Sequence, residues 1–430
     1  MLANAAPARS YSPLVRLASR PRALYIASYP PRECGIATFT ENIKLAVDRR
    51  IGADADVIAI NENGHRYVYP PCVVGAIERD DAVTYANAAH VINTHPSDVV
   101  NIQHEYGLFG GKRGDMLIEL LARIKKPVVT TLHTILPDPD SALRALTREL
   151  CNRSDAVIVL AHAGRRLLEH VYGIDPRKVR VVLHGAPDVP LRSSRHLKRR
   201  FGLGDKTVIS TFGLLSPGKG IEYLLEALPA VFARYPDAVY LLLGETHPEI
   251  RRREGERYRE ALLERACSIG IAGRVHFVNH YMTYEEVVSY LLATDVYASP
   301  SVDPHQIVSG TLSYALACGR VVVATASAYA NELLAGGRGI VVPFRDAAAL
   351  SRGINTVLSH ERERRSMELA AYRFGRNMIW SRVAREYESI YRAVTIERSV
   401  RALRPLRVRA SESLRALAGG ASHNLAKAAE

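Results

Sequence analysis

The sequence has no apolar run that approaches the roughly 20 residues a membrane-spanning helix needs, so none of its segments is expected to cross a bilayer. Cysteine is scarce. The five present (Cys34, Cys72, Cys151, Cys267 and Cys318) are odd in number and widely scattered. Without zinc-site spacing or a disulfide framework, they predict reduced thiols, no metal and no bridges. The first 22 residues are basic and rich in Pro, Ala and Ser but lack the continuous apolar core of a secretory signal. They are expected to form a loose tail on a cytoplasmic protein. The chain also has no internal repeat of solenoid length.

What is present is a long, basic, soluble-type chain. Its 430 residues exceed one ordinary core and suit two domains. The formal charge of +13 fits nucleic acid, an anionic membrane surface or anionic small substrates, and says nothing of fold. The basic residues gather outside the apolar runs, at Arg192 to Arg200, Arg251 to Arg257 and Glu397 to Arg409. They predict solvated faces and a basic tail, with peripheral contact to an anionic membrane as the alternative and no nucleic-acid partner.

Short β-rich runs alternate with longer stretches of helical period: "ALYIAS", "DVIAI", "VVNIQHE", "PVVTTLH", "AVIVLA" and "VRVVLHG" in the first half. That alternation predicts a parallel sheet with helices on both faces, the first helix starting after Thr38. A polar, basic stretch follows, and "TVISTFG", "AVYLLLG", "RVHFVN", "DVYASP", "VVVAT" and "GIVVPF" restart the pattern. The expected organisation is a tail over 1–22, a doubly wound domain over 23–190, a linker over 191–205 and a second doubly wound domain over 206–372. Thr283 with Glu286 forms a predicted capping box. Two such domains enclose a cleft, with ligands at the carboxyl ends of their strands.

Two loops in the second half suit phosphate. In "TFGLLSPGKGIEYLLEALP" a strand ends at Gly213, a Gly/Pro/Ser loop follows, and a helix is expected near Lys219. Unpaired backbone N–H groups and the helix dipole favour an anion there, and Lys219 adds a point charge. "SVDPHQIVSGTLSYALACGR" repeats the arrangement: Ser309 and Thr311 are donors, and Gly310 permits close approach. Two cradles facing one cleft point to a diphosphate.

"GLLSPGKG", then "ASPSVDPHQIVSGTLSYALACG", then "ANELLAGGRGIVVPF" resemble, in that order, the donor domain of glycosyltransferase family 4. "SYPPRECGIATFTENI", "TTLHT" and "VVLHGAPD" resemble its first domain. The resemblance spans roughly Ala23 to Val394. It implies α/β architecture of the GT-B type, two Rossmann-like domains facing across a cleft, with a helix over 373–395 crossing back to the first and a basic tail over 396–430. It also implies a retaining, metal-independent transferase without a cofactor. The donor would be a nucleotide-diphosphate sugar, with GDP-mannose suggested by the family, and the acceptor a saccharide or lipid-linked sugar in polysaccharide or glycoconjugate biosynthesis.

Carried over residue by residue, the resemblance gives Lys219 the diphosphate, with Gly213 opening its loop and Leu214 standing where the family has Arg. His133 resembles the strand-end histidine at the reaction centre, and Glu332 a carboxylate near the donor. Gly35 falls in the first-domain glycine loop. Aligned on "ALACG", the family's two Glu become Gln306, by the donor sugar, and Tyr314, by the ribose. Both can form hydrogen bonds, but neither carries charge. A transferase that works by positioning and leaving-group stabilisation can tolerate that loss. A GT-B phosphorylase using phosphate and a silent sugar-nucleotide-binding protein are the alternatives.

Gln103, His104 and Glu105 are candidates to hold acceptor hydroxyls, with Tyr106 or Phe109 stacking on a sugar ring; a plain strand-to-loop transition is the other reading. Cys34 is expected to pack rather than to react. "ETHPEIRRREGERY" is expected to be a solvated helix face, although its place after a strand offers His247 and basic residues to a nucleotide.

Overall fold

The computed structural model describes residues 20–62 and 64–401. The tails expected over 1–22 and 396–430 lie, apart from their inner ends, outside the described residues. The first half folds around seven strands: β1 (Ala23–Ala27), β2 (Asp56–Asn61), β3 (Val73–Glu78), β4 (Val99–His104), β5 (Val128–Leu132), β6 (Ala156–Val159) and β7 (Val179–Val181). All pair in parallel, in the order β3-β2-β1-β4-β5-β6-β7. The second half supplies β8 (Thr207–Phe212), β9 (Ala238–Leu243), β10 (Val275–Val278), β11 (Val296–Ser299), β12 (Val321–Thr325) and β13 (Gly339–Val342), again parallel, in the order β10-β9-β8-β11-β12-β13.

The central strands are continuous apolar runs because helices cover both of their faces. β1 and β9 are buried along their whole length. β3 escaped the sequence pattern: it is an edge strand, mostly half-buried or exposed, with Gly75 in its middle. In each sheet the chain reverses its direction of winding between two neighbours, β1 with β4 and β8 with β11. Crevices open at such points, outside the carboxyl ends of the strands. The loops after β1, β4, β8 and β11 are therefore placed to build one site.

Three local expectations shift. The first helix begins at Gly35 rather than after Thr38 and runs to Ile51, capped by Cys34, whose sulfur accepts from the Ala37 N–H at 3.3 Å. Lys219 closes a short 3-10 turn, Pro217–Lys219, and the helix starts at Ile221. Lys198, in the basic cluster, is buried and bonds Asp295 and the Lys206 carbonyl rather than water. The capping box is present, with Glu286 N–H to Thr283 at 3.2 Å and Thr283 N–H to the Glu286 carboxylate at 2.8 Å.

The helix over 380–401 packs on the first sheet although it follows the second. Ala186 N–H donates to the Met378 carbonyl at 2.7 Å, and Trp380 N–H to the Ala186 carbonyl at 3.2 Å. Tyr387 and Tyr391 are fully buried, their hydroxyls reaching Thr131 at 3.0 Å and Tyr25 at 3.5 Å. Each buried ring contributes roughly 2–3 kcal/mol by area, enough to hold the helix where it lands.

Candidate active site

The two sheets face across a cleft of about 1120 Å³ lined by Gly35, Glu105, His133, Gly213, Leu214, Lys219, Gly310, Thr311 and Tyr314, among others. On the second domain, the floor is backbone. Gly213 and Gly244 both have positive φ (128° and 122°), and a Cβ on Gly244 would lie 2.4 Å from the Gly213 carbonyl oxygen. Only glycine permits that approach. A Cβ on Gly213 would in turn lie 3.2 Å from the Thr311 methyl and 3.6 Å from the Lys219 ammonium. Lys219 thus sits over the glycine floor, beside the start of the Gly310–Ala317 helix. Burial lowers its pKa, and no charge or hydrogen-bond acceptor among the described residues compensates it.

Ser309 does not line the cleft; it is the cap of that helix, its hydroxyl accepting from Leu312 N–H at 3.4 Å and lying 3.1 Å from the Thr311 hydroxyl. Gly310 is needed for contact. A Cβ there would meet His184 Nε2 at 3.0 Å.

On the first domain, His133 follows β5 and lines the cleft. Its Nε2 bonds the Gln103 Oε1 at 2.8 Å, and the Gln103 amide donates to Asn101 Oδ1 at 2.6 Å. Desolvation, with smaller repulsions from His184 and His104, lowers the His133 pKa to about 3, so the ring is neutral near pH 7. Glu105 also faces the cleft. Its carboxylate accepts from Tyr106 N–H at 3.0 Å and the Thr134 hydroxyl at 2.5 Å, and burial raises its pKa against the pull of those bonds.

Several expected contacts are corrected. Gln306 is not in the cleft wall: the Gln306 carbonyl accepts from Tyr329 N–H at 2.9 Å, the Pro304 carbonyl from Ala328 N–H at 3.0 Å, and Ile307 is buried against the first-domain core. Those ties turn the loop away, and its neighbours His305 and Ile307 face a separate hollow of about 260 Å³. Glu332 is likewise elsewhere. Its two oxygens accept from His162 and Ala163 N–H, each at 2.8 Å, capping the first-domain helix His162–His170. Gln103 and His104 are buried behind the wall; His104 stacks on Phe109 at 5.9 Å, and Tyr106 is tied to Thr147 at 2.8 Å, so neither aromatic offers the cleft a platform.

The cleft also contains residues the sequence left unassigned. His184 lies at its base, with Nδ1 donating to the Gly185 carbonyl at 2.7 Å and its pKa lowered to about 4 by burial. Tyr314 meets His184 and Tyr284 edge to face, at 6.3 and 6.1 Å. His247, Arg251 and Arg252 line the rim, on and beside a helix, Pro248–Glu254, that has no buried residue and is the solvated face expected. The one available signal was their position directly after the β9 strand end. Across the rim, Tyr281 bonds Thr38 at 2.8 Å and Arg252 bonds Glu62 at 3.2 Å, joining the domains.

Two parallel-sheet domains with this cleft define the GT-B architecture. The sequence model described as Glycosyltransferase Family 4 matches residues 39–188, and that described as Glycosyl transferases group 1 matches residues 206–360. The chain belongs to the family 4, or group 1, glycosyltransferases. It is 26% identical over 383 residues to a GDP-mannose-dependent alpha-(1-6)-phosphatidylinositol monomannoside mannosyltransferase of Mycolicibacterium smegmatis, covering 80% of this chain and 90% of the relative. A D-inositol 3-phosphate glycosyltransferase of Corynebacterium diphtheriae is 26% identical over 310 residues, covering 68% and 70%. Among solved structures, sucrose-phosphate synthase from Thermosynechococcus elongatus superposes with a TM-score of 0.69 at 18% identity, covering 87% of this chain and 99% of the other. Anabaena HepE in complex with UDP superposes with 0.65 at 17%, covering 86% and 99%.

Proposed function

We propose that the protein transfers a sugar, with mannose of GDP-mannose as the first choice, from a nucleotide diphosphate to a saccharide or lipid-linked acceptor, with retention and without a metal. The observation that carries this reading is Lys219. A half-buried ammonium whose pKa burial lowers, with no hydrogen bond or ion pair among the described residues, gains when an anion joins it, and this one stands beside the start of the Gly310–Ala317 helix, whose first N–H groups suit the same anion. A diphosphate supplies the missing charge. Mannosyl and inositol-phosphate relatives support the choice of donor and a polyol or glycolipid acceptor.

In this reading the bond from the sugar C1 to the donor phosphate oxygen breaks, and its electron pair leaves with the phosphate, stabilised by Lys219 and the Gly310–Ala317 helix start. The acceptor hydroxyl attacks C1 from the same face and passes its proton to a donor phosphate oxygen. His133 orients the sugar, and Tyr314 takes the ribose side of the site. Domain closure excludes water. The basic segments bring the enzyme to an anionic membrane when the acceptor is a lipid.

A panel of GDP, UDP, ADP and their sugar conjugates, read by thermal shift, tests the donor site. One nucleotide should stabilise the wild type, by about 2.7 kcal/mol at a hundredfold excess over Kd, and should lose its effect in Lys219→Ala. Stabilisation by inorganic phosphate alone would replace this reading with the phosphorylase one.

A further inference from the structure

Asn101 and Gln103 sit two residues apart on β4 and so share a face. Both are fully buried. The Asn101 amide donates to the Val129 carbonyl at 3.3 Å, Gln103 donates to Asn101 Oδ1 at 2.6 Å, and Gln103 Oε1 lies 2.8 Å from His133 Nε2. The far end of this chain fixes every other member. A backbone carbonyl can only accept, so Asn101 must turn its NH2 toward Val129 and its oxygen toward Gln103. Gln103 must then give its NH2 to that oxygen and present its own oxygen to His133. An oxygen facing Nε2 requires a proton there. Flipping either amide would set two bare oxygens against each other inside the core. The other ring nitrogen, Nδ1, has no hydrogen-bond partner among the described residues and is not among the buried unpaired atoms, while the ring lines the cleft.

We propose that Asn101 and Gln103 are positioning residues that lock His133 in its Nε2–H tautomer, so that the Nδ1 lone pair faces the cleft and accepts a hydrogen bond from a hydroxyl of the bound sugar. The lock relies on direction rather than charge. Without the Val129 anchor only the Tyr387 hydroxyl still holds the Gln103 amide, and a hydroxyl can either donate or accept, so the Nδ1–H tautomer becomes accessible and the acceptor facing the cleft is lost in it, while the fold and the diphosphate site stay intact. The tautomer is a property of the protein alone; its kinetic consequence rests on the transfer reading above.

The test uses the full chain with 15N-labelled histidine, His133 being assigned by its absence in His133→Gln. Long-range proton–nitrogen spectra between pH 6 and 8 should show His133 as the Nε2–H form alone. Asn101→Leu and Gln103→Leu should each introduce the Nδ1–H form. In turnover they should lower kcat about tenfold or more, with less than about a twofold change in donor KM. A wild-type ring in the Nδ1–H form, or an unchanged spectrum in Asn101→Leu, overturns the proposal, as does a kcat that survives the loss of the lock. A wild type that turns over no nucleotide sugar defeats the transfer reading instead, and the spectra still decide the tautomer. If the leucine variants fail to fold, the wild-type spectrum decides by itself.

Discussion

At the scale of single residues, burial in and around the site shifts three histidines and a carboxyl toward their neutral forms. His104 and His133 have pKa values lowered to about 3 and His184 to about 4, each mainly by burial. A histidine whose folded pKa is lowered binds fewer protons folded than unfolded between that value and about 6.5, so its contribution to stability falls as pH drops through this window. Each contributes on the order of 1 kcal/mol per pH unit there. Glu105, with its pKa raised by burial, acts in the opposite sense, losing stability as pH rises through its folded value. His104 isolates the histidine effect, because its Nδ1 is buried and unpaired and it lies outside the cleft wall. In His104→Gln, which takes up no proton, urea-derived stability should decline less steeply from pH 6.5 to 4 than in the wild type. An unchanged slope would deny that the ring is forced neutral. His133 and Lys219 were legible in the sequence as cleft residues because His133 follows directly on a strand and Lys219 stands in the Gly/Pro/Ser loop that follows another. Gln306 and Glu332 were not: a family pattern gives their spacing, but the hydrogen bonds of the Asp303 to Ile307 loop and the uncapped N–H groups of His162 and Ala163 decide where they go.

At the scale of elements, the two glycine-rich junctions set the site's dimensions. Gly244→Ala puts a methyl 2.4 Å from the Gly213 carbonyl at a φ of 122°, so the phosphate floor must deform. Nucleotide binding measured by calorimetry should fall tenfold or more, by roughly 1.4 kcal/mol or above, with a smaller loss of stability. Gly185→Ala acts on a different joint: the new Cβ would lie 2.1 Å from the Trp380 ring, so the 380–401 helix must shift off the first sheet. Overpacking of this kind costs about 1–3 kcal/mol, and chemical denaturation should register it. The strands were readable because central parallel strands are continuous apolar runs. Edge strand β3, half exposed and broken by Gly75, carries no such signal, and the rim helix Pro248–Glu254 is as exposed as its charge implies, so only its place after β9 marks it as part of the cleft.

At the scale of the whole molecule, the polar ties between the domains include Glu332 on the His162 and Ala163 N–H groups, Thr38 on Tyr281, and Glu62 on Arg252. The Arg252 pair is half exposed and weak by itself, whereas Glu332 accepts from two backbone N–H groups at once. Glu332→Ala should enlarge the radius of gyration in solution scattering without nucleotide and weaken donor affinity a few-fold, about 1 kcal/mol, because closure is then less populated. An unchanged radius and affinity would make Glu332 a local cap only. No helix among the described residues is long and apolar enough to span a membrane. The central proposal is that the cleft between these two domains moves a sugar off a nucleotide diphosphate with Lys219 holding the leaving phosphate. The most direct measurement is release of nucleoside diphosphate from a panel of nucleotide sugars, with inositol phosphates and simple saccharides as acceptors, in the wild type and Lys219→Ala. Release from one donor, reduced about a hundredfold or more in the variant, is the expected result. Release that Lys219→Ala leaves untouched, or none from a folded wild type with any donor, would contradict the account.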